Sequence, residues 1–290
     1  MPEHKEGKGV GKIRIVTDST ADLPRELLEK HKIAVVPLRV HFGPESFKDH
    51  IELSASEFYE KLASSQHLPK TSQPSPADFA EAYQNLAEPG DTVISIHLSS
   101  ELSGTYQSAN LARSMVRGVK VEVIDTRAAS MGIGLIVLAA ARAAEAGRSP
   151  NEVVAAARSI IDRLYVLFSV DTLEYLQRNG RIGRAQALLG TLLNIKPLLH
   201  LKDGIVSPLE KVRGKAKVIP RLLELARERV PAGARIHCAV IHGNCPEEGR
   251  TLLNGLKSVY EVVEESLALL GPVIATHAGP GTLGLCLYQD

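Results

Sequence analysis

The chain has 290 residues, 44% hydrophobic side chains and a formal net charge of +1, enough apolar mass for one large or two ordinary domains. The near-neutral charge gives no global field toward nucleic acid, and with aromatic residues at 4% and Trp absent a base-stacking platform is disfavoured. Cys238, Cys245 and Cys286 fit neither a disulfide framework nor a paired zinc pattern, so the chain reads as a cytoplasmic protein.

Residues 1–12 are charged and glycine-rich and read as a disordered tail, with no apolar signal region behind it. Ile13 begins a strand, and the turn after it leads to a helix with Asp22 as N-cap and Pro24 in its first turn. Ile33 to Phe42 reads as one strand, edged or bent at Pro37. Ser54 and Glu57 carry the spacing of a capping box, and Ser75 before Pro76 predicts a second helix start. A strand over Thr92–Ser100, a helix from Leu102 and a strand over Val119–Thr126 follow. The apolar run Gly132 to Ala141 is half the ~20 residues that span a bilayer and reads as a buried helix.

Strands alternating with helices imply a parallel sheet. In such sheets ligands gather at the C-terminal strand ends. Hydroxyls cluster there: Thr17, Ser19 and Thr20; Ser99 and Ser100; Thr126 and Ser130. Beyond Leu164 the pattern changes. Tyr165 starts a strand, Asp203-Gly204 predicts a hairpin turn, two helices flank a strand near Arg235, and Pro272–Tyr288 reads as strand, loop, strand. The predicted fold is therefore an α/β domain over 13–164, with a parallel sheet flanked by helices, and an α+β domain with a mixed sheet over 165–290.

Nucleotide signatures fail on inspection. Gly279-Pro280-Gly281-Thr282-Leu283-Gly284 matches G-x-G-x-x-G, but Pro280 removes a donor and a strand, not a helix, is predicted next. No zinc-protease or nucleophile-elbow pattern occurs, and no cofactor is expected. One serine suffices to cap a helix. Ser99, Ser100 and Ser103, with Gly104 permitting close approach, favour a site for an anion or carboxyl group. With Ser75 as the cap of its helix, Thr71 and Ser72 are free to face a ligand. Arg178, Arg181 and Arg184 surround two glycines, a setting for phosphate or carboxylate oxygens. Lys211, Arg213, Lys215 and Lys217 add a second basic group, and His277 stands before the Gly279 loop.

Together these segments resemble the DegV family of bacterial fatty-acid-binding proteins, the acyl-carrying subunits of a fatty acid kinase. The resemblance runs from Ile13 to Tyr288, through TDSTADLP at Thr17 to Pro24, TSQPS at Thr71 to Ser75, SSELSGTYQSA at Ser99 to Ala109 and VIDT at Val123 to Thr126. It continues through LQRNGRIG at Leu176 to Gly183, KVRGKAK at Lys211 to Lys217 and HAGPGTLG at His277 to Gly284. Asn179 departs from it, standing where a second glycine is usual, and the N-terminal tail is extra.

The resemblance implies two domains with a long-chain fatty acid in a tunnel between them. Thr71 or Ser72, with Ser100 in the loop of Ser99, Ser103 and Gly104, would hold the carboxylate. Arg181, Arg213 and His277, with Gly279 beside it, would lie at the mouth, toward the head group or a docking kinase subunit. That separate subunit would make the acyl phosphate used in phospholipid synthesis, and membrane contact would be at most transient. Two other classes compete: a stand-alone serine hydrolase or phosphotransferase using Ser99, Ser100 or His277, and a DNA-binding regulator using the basic residues from Arg178 to Lys217.

Overall fold

The computed structural model of this chain describes residues 11–190 and 194–290. Most of the expected tail lies outside the described residues; at its end the Lys12 N–H donates to Asp91 Oδ1 at 2.7 Å. The first part of the chain holds strands β1 (Ile13–Asp18), β2 (Ala34–Val36), β3 (Arg39–Phe42), β4 (Glu45–Lys48), β5 (Lys70–Ser72), β6 (Thr92–His97) and β7 (Lys120–Asp125). Between and after them run helices α1 (Arg25–Lys30), α2 (Ala55–Ser64), α3 (Pro76–Leu86), α4 (Thr105–Ala112), α5 (Met131–Glu145) and α6 (Pro150–Arg163).

Strands in the order β2-β1-β6-β7 form a wholly parallel sheet. Every residue of β6 is buried, as a central parallel strand covered on both faces requires. A small antiparallel sheet, β4-β3-β5, stands beside it. Ser54 closes the capping box with Glu57 that its spacing predicts; Ser75 caps its helix as expected and forms a box with Asp78, and Ser149 does the same with Glu152.

Two expectations from this part need correction. Ile33 to Phe42 is not one strand: Pro37 separates β2 from β3, and the two belong to different sheets. Asp22 does not cap α1. It holds a left-handed backbone with φ of 50°, and its carboxylate serves Ser130 and Gly271 instead.

The second part holds β8 (Tyr165–Ser169), α7 (Glu174–Arg178), β9 (Ile195–Lys202), β10 (Ile205–Arg213), α8 (Val218–Arg229), β11 (Arg235–His242), α9 (Pro246–Lys257), β12 (Glu261–Leu269), α10 (Pro272–Ala278) and β13 (Leu283–Gln289). Its six strands run β10-β9-β8-β13-β11-β12. Only β11 and β12 pair in parallel; the other neighbours are antiparallel. The predicted turn is present, with Asp203 and Gly204 at φ of 54° and 78°, the left-handed pair that suits a two-residue hairpin.

The segment from Pro272 is a helix, not the expected strand. Val273, Ile274 and Thr276 have β-favouring side chains, but Pro272 sits in the first turn after a glycine cap. The Thr276 hydroxyl donates to the Pro272 carbonyl at 2.8 Å, so it is satisfied inside the helix. β12 was not anticipated at all.

Helix α5 joins the two parts. From Met131 to Leu138 it is buried all round, which marks a core helix. It packs against β1 and β6 of the parallel sheet and against β11 and β13 of the mixed one. Ile15, Ile96, Ile136, Ile241 and Cys286 consequently share one continuous apolar core. The change from parallel to mixed sheet falls between the end of α6 at Arg163 and the start of β8 at Tyr165.

Candidate functional site

Where the two sheets converge, a cavity with about 800 Å³ of atom-free space, its open mouth included, lies among both parts of the chain. The parallel-sheet side supplies Leu38, Leu98, Leu102 and Ala129; β8 supplies Val166 and Phe168; the β9–β10 hairpin supplies Leu201 and Val206. α10 adds Val273, Ile274 and Ala278. Its polar members are Thr71, Ser103, Ser130, Arg181, His277 and Thr282.

Four of these polar residues are Thr71, His277, Arg181 and Ser103. Thr71 Oγ1 and His277 Nε2 are 2.9 Å apart, joining β5 to the last turn of α10. Arg181 donates from Nε to the Leu102 carbonyl at 3.1 Å and from Nη1 to the Asn179 carbonyl at 2.8 Å. These bonds hold an exposed guanidinium beside Ser103, whose hydroxyl lies 2.9 Å from Thr105 Oγ1. Burial, and then the Arg181 charge, push the His277 imidazole down to about 4. The ring is therefore neutral near pH 7, and its Nδ1 is buried without a hydrogen-bond partner.

The other residues singled out in the sequence are placed elsewhere. The Ser99 hydroxyl donates to the Gly204 carbonyl at 2.9 Å, tying the hairpin tip to the loop after β6. Ser100 gives its N–H and its hydroxyl to Asp125, at 3.2 and 2.5 Å. Ser72 Oγ lies 2.9 Å from His41 Nε2. None of these three hydroxyls lines the cavity. The Gln73 amide packs over Gly104, where a Cβ would displace it. Gly279 ends α10 at φ of 78° with the Tyr175 ring against it. Arg213 is exposed at the open end of the hairpin, paired with Ile195.

Two lining hydroxyls were not singled out as contacts. Ser130 stands among the strand-end hydroxyls directly ahead of the apolar helix, a signal the sequence does carry. Thr282 lies inside the glycine motif, and nothing in the motif points to it.

A Ser–His–Asp chain exists elsewhere. Ser95 Oγ is 2.6 Å from His97 Nε2, and His97 Nδ1 is 2.9 Å from Asp18 Oδ2. Tyr83 donates its hydroxyl to Ser95 at 2.8 Å. All four side chains are fully buried, at 0% exposure, so no substrate reaches this serine. Ser99 and Ser100 have no histidine partner. Among the described residues no group of three or more His, Cys, Asp or Glu is arranged to hold a metal ion. Nor is any described helix long and apolar enough to cross a membrane.

The chain has close relatives. It is 40% identical over 275 residues to protein DegV of Bacillus subtilis, covering 94% of this chain and 98% of the relative. Its fold matches a Thermus thermophilus DegV family protein solved for its fatty acid binding, with a TM-score of 0.89, 41% identity and coverage of 96% and 100%. A stearic acid-binding protein from Eubacterium ventriosum superposes with a TM-score of 0.87 at 28% identity, with coverage of 96% and 98%. The sequence pattern of a family described as an uncharacterised protein, DegV family, matches residues 12–290. The chain therefore belongs to the DegV family.

Proposed function

We propose that this protein is a carrier that binds one long-chain fatty acid in the cavity, with the α/β domain over 13–164 and the α+β domain over 165–290 closing around it. The observation that carries this reading is the division of the cavity wall. Apolar side chains line most of it, and Thr71, Ser103, Arg181 and His277 gather in one polar group. Each methylene removed from water is worth about 0.8 kcal/mol, so a tail of roughly fifteen gains on the order of 12 kcal/mol before the costs of association. The tail supplies the affinity.

The head group needs donors, because a carboxylate buried without partners costs several kcal/mol. Ser100 is held by Asp125, so its assigned role passes to Ser103, three residues on and at the cavity wall. Thr71 and Ser103 offer neutral hydroxyls. Neutral His277 holds Thr71 in place, and among the described residues Arg181 supplies the only positive charge on the cavity lining. Because Arg181 is exposed and already bonded to two backbone carbonyls, it screens the carboxylate without closing over it. One carboxylate oxygen stays free to attack a phosphoryl donor. We infer that a separate kinase subunit brings that donor and releases an acyl phosphate; the absence of a nucleotide-binding motif in this sequence supports the division of labour.

The test is titration of the delipidated protein with a saturated and an unsaturated long-chain fatty acid, followed by incubation with ATP alone. The expected result is saturable binding of one acyl chain and no turnover. Absence of saturable binding refutes the carrier reading, and acyl phosphate formed without a partner makes the protein an enzyme.

A further inference from the structure

Helix α10 brings His277 to the cavity, yet its own cap, Gly271, has no side chain to offer the first turn. The partner comes from the other part of the chain. The Gly271 N–H donates to Asp22 Oδ1 at 3.2 Å, and the Ser130 hydroxyl donates to Asp22 Oδ2 at 2.5 Å. His50 Nε2 lies 3.4 Å from Oδ1. A Cβ on Gly271 would run into both His50 and Asp22, so the glycine permits this close docking.

Asp49 completes the group. It is 1% exposed, and neither of its carboxylate oxygens has a hydrogen-bond partner. Its N–H donates to the carbonyl of Leu38, a cavity residue, at 2.9 Å. Burial disfavours its charge and Asp22 repels it, while His50, then the Ser19 hydroxyl and the Val273 N–H in the first turn of α10, favour it from beyond hydrogen-bond geometry.

Stability alone does not account for this arrangement. Asp22, His50 and Ser130 hold backbones with positive φ, of 50°, 59° and 53°, which non-glycine residues adopt at a cost. A buried carboxylate without a bonded donor adds to that cost. Strain of this kind persists where position matters more than stability.

We propose that Asp22 is a positioning residue that docks the start of α10 onto the first part of the chain and thereby holds His277 against Thr71, with the buried Asp49 beside it as its support. The purpose of the device rests on the fatty-acid reading; its geometry does not. Val273 and His277 are one helical turn apart, so a shift at the first turn moves the ring by a comparable distance.

The experiment records the ring nitrogen NMR signals of His277 in the ligand-free full chain, assigned by their loss in His277→Gln, for wild type, Asp49→Asn, Asp22→Asn and Ser130→Ala. Asp49→Asn removes a buried charge and should raise Tm by a few degrees. The same substitution should shift the His277 Nε2 signal, move its titration up from about 4 and weaken fatty-acid binding roughly three- to tenfold. Ser130→Ala should shift the signal in the same direction by less. A merely structural role would change Tm and leave the ring unmoved. His277 signals unchanged in the folded variants overturn the proposal, and if Asp22→Asn does not fold, Asp49→Asn and Ser130→Ala decide it. Should the wild type bind no fatty acid, the carrier reading falls while the ring signals still test the docking.

Discussion

Two assemblies of hydroxyl and imidazole groups sit within this fold, and they differ in what surrounds them. In the parallel sheet, Asp18, His97, Ser95 and Tyr83 form an unbroken chain, each member partnered and none exposed. At the cavity, Thr71 and His277 form a shorter chain beside Arg181 and Ser103, with one ring nitrogen unpartnered and open volume next to it. The first has the residue types of a hydrolase and no access. The second has access, but no carboxylate orients its imidazole, because His277 Nδ1 has no partner. Residue type therefore assigns neither assembly its role; satisfaction of the polar atoms and contact with a cavity do.

The comparison breaks or sharpens under substitution. Asp18→Ala leaves His97, the Leu98 N–H and both the N–H and the hydroxyl of Thr20 without their acceptor and should cost about 3–5 kcal/mol in chemical denaturation. A loss below about 1 kcal/mol would mean that the sealed network is not structural. Ala129→Trp, at the cavity wall, should leave the fold intact and weaken acyl binding about a hundredfold, or about 2.7 kcal/mol. Unchanged affinity would move the acyl chain out of this cavity.

The pH dependence separates two buried groups of opposite sign. His277 is held near 4 in the folded chain, below its ordinary 6.5. The stability it contributes is present above about 6.5 and is lost as pH falls toward 4, by about 2 kcal/mol once partial exposure is allowed for. Burial pushes Asp49 the other way, from 3.8 up to about 6, so its contribution is present below 3.8 and lost as pH rises to about 6. The two slopes oppose one another in the wild type. His277→Gln should expose the Asp49 slope, with stability falling as pH rises from 4 to 6; an unaltered profile would place the His277 ring in water. Ser100→Ala removes a bond to Asp125 and should cost about 1 kcal/mol of stability without weakening acyl binding, whereas a selective loss of binding would return the head group to Ser100.

Much of the architecture was legible because periodicity and capping report it directly. Ser54, Ser75 and the Asp203-Gly204 turn each announce a local geometry that tertiary contacts did not override. α10 was misread because Val273, Ile274 and Thr276 favour strands locally, while its helix is docked through Asp22, 249 residues away in sequence from Gly271. The site was legible as a region and not as atoms. Ser99, Ser100 and Ser103 are equivalent hydroxyls in a line of sequence. The Gly204 carbonyl claims the first and Asp125 the second, and neither partner is visible without the fold. Arg181 and Arg213 look alike for the same reason, until the Leu102 and Asn179 carbonyls hold the first beside the cavity and the hairpin carries the second at its open end.

A crystal structure of the protein saturated with a long-chain fatty acid tests the central claim most directly. The account predicts continuous density for one acyl chain along the apolar wall, with its carboxylate within hydrogen-bond distance of Thr71 Oγ1 and Ser103 Oγ. A chain bound on the outer surface, or a cavity closed by its own side chains while the carboxylate rests elsewhere, would contradict it.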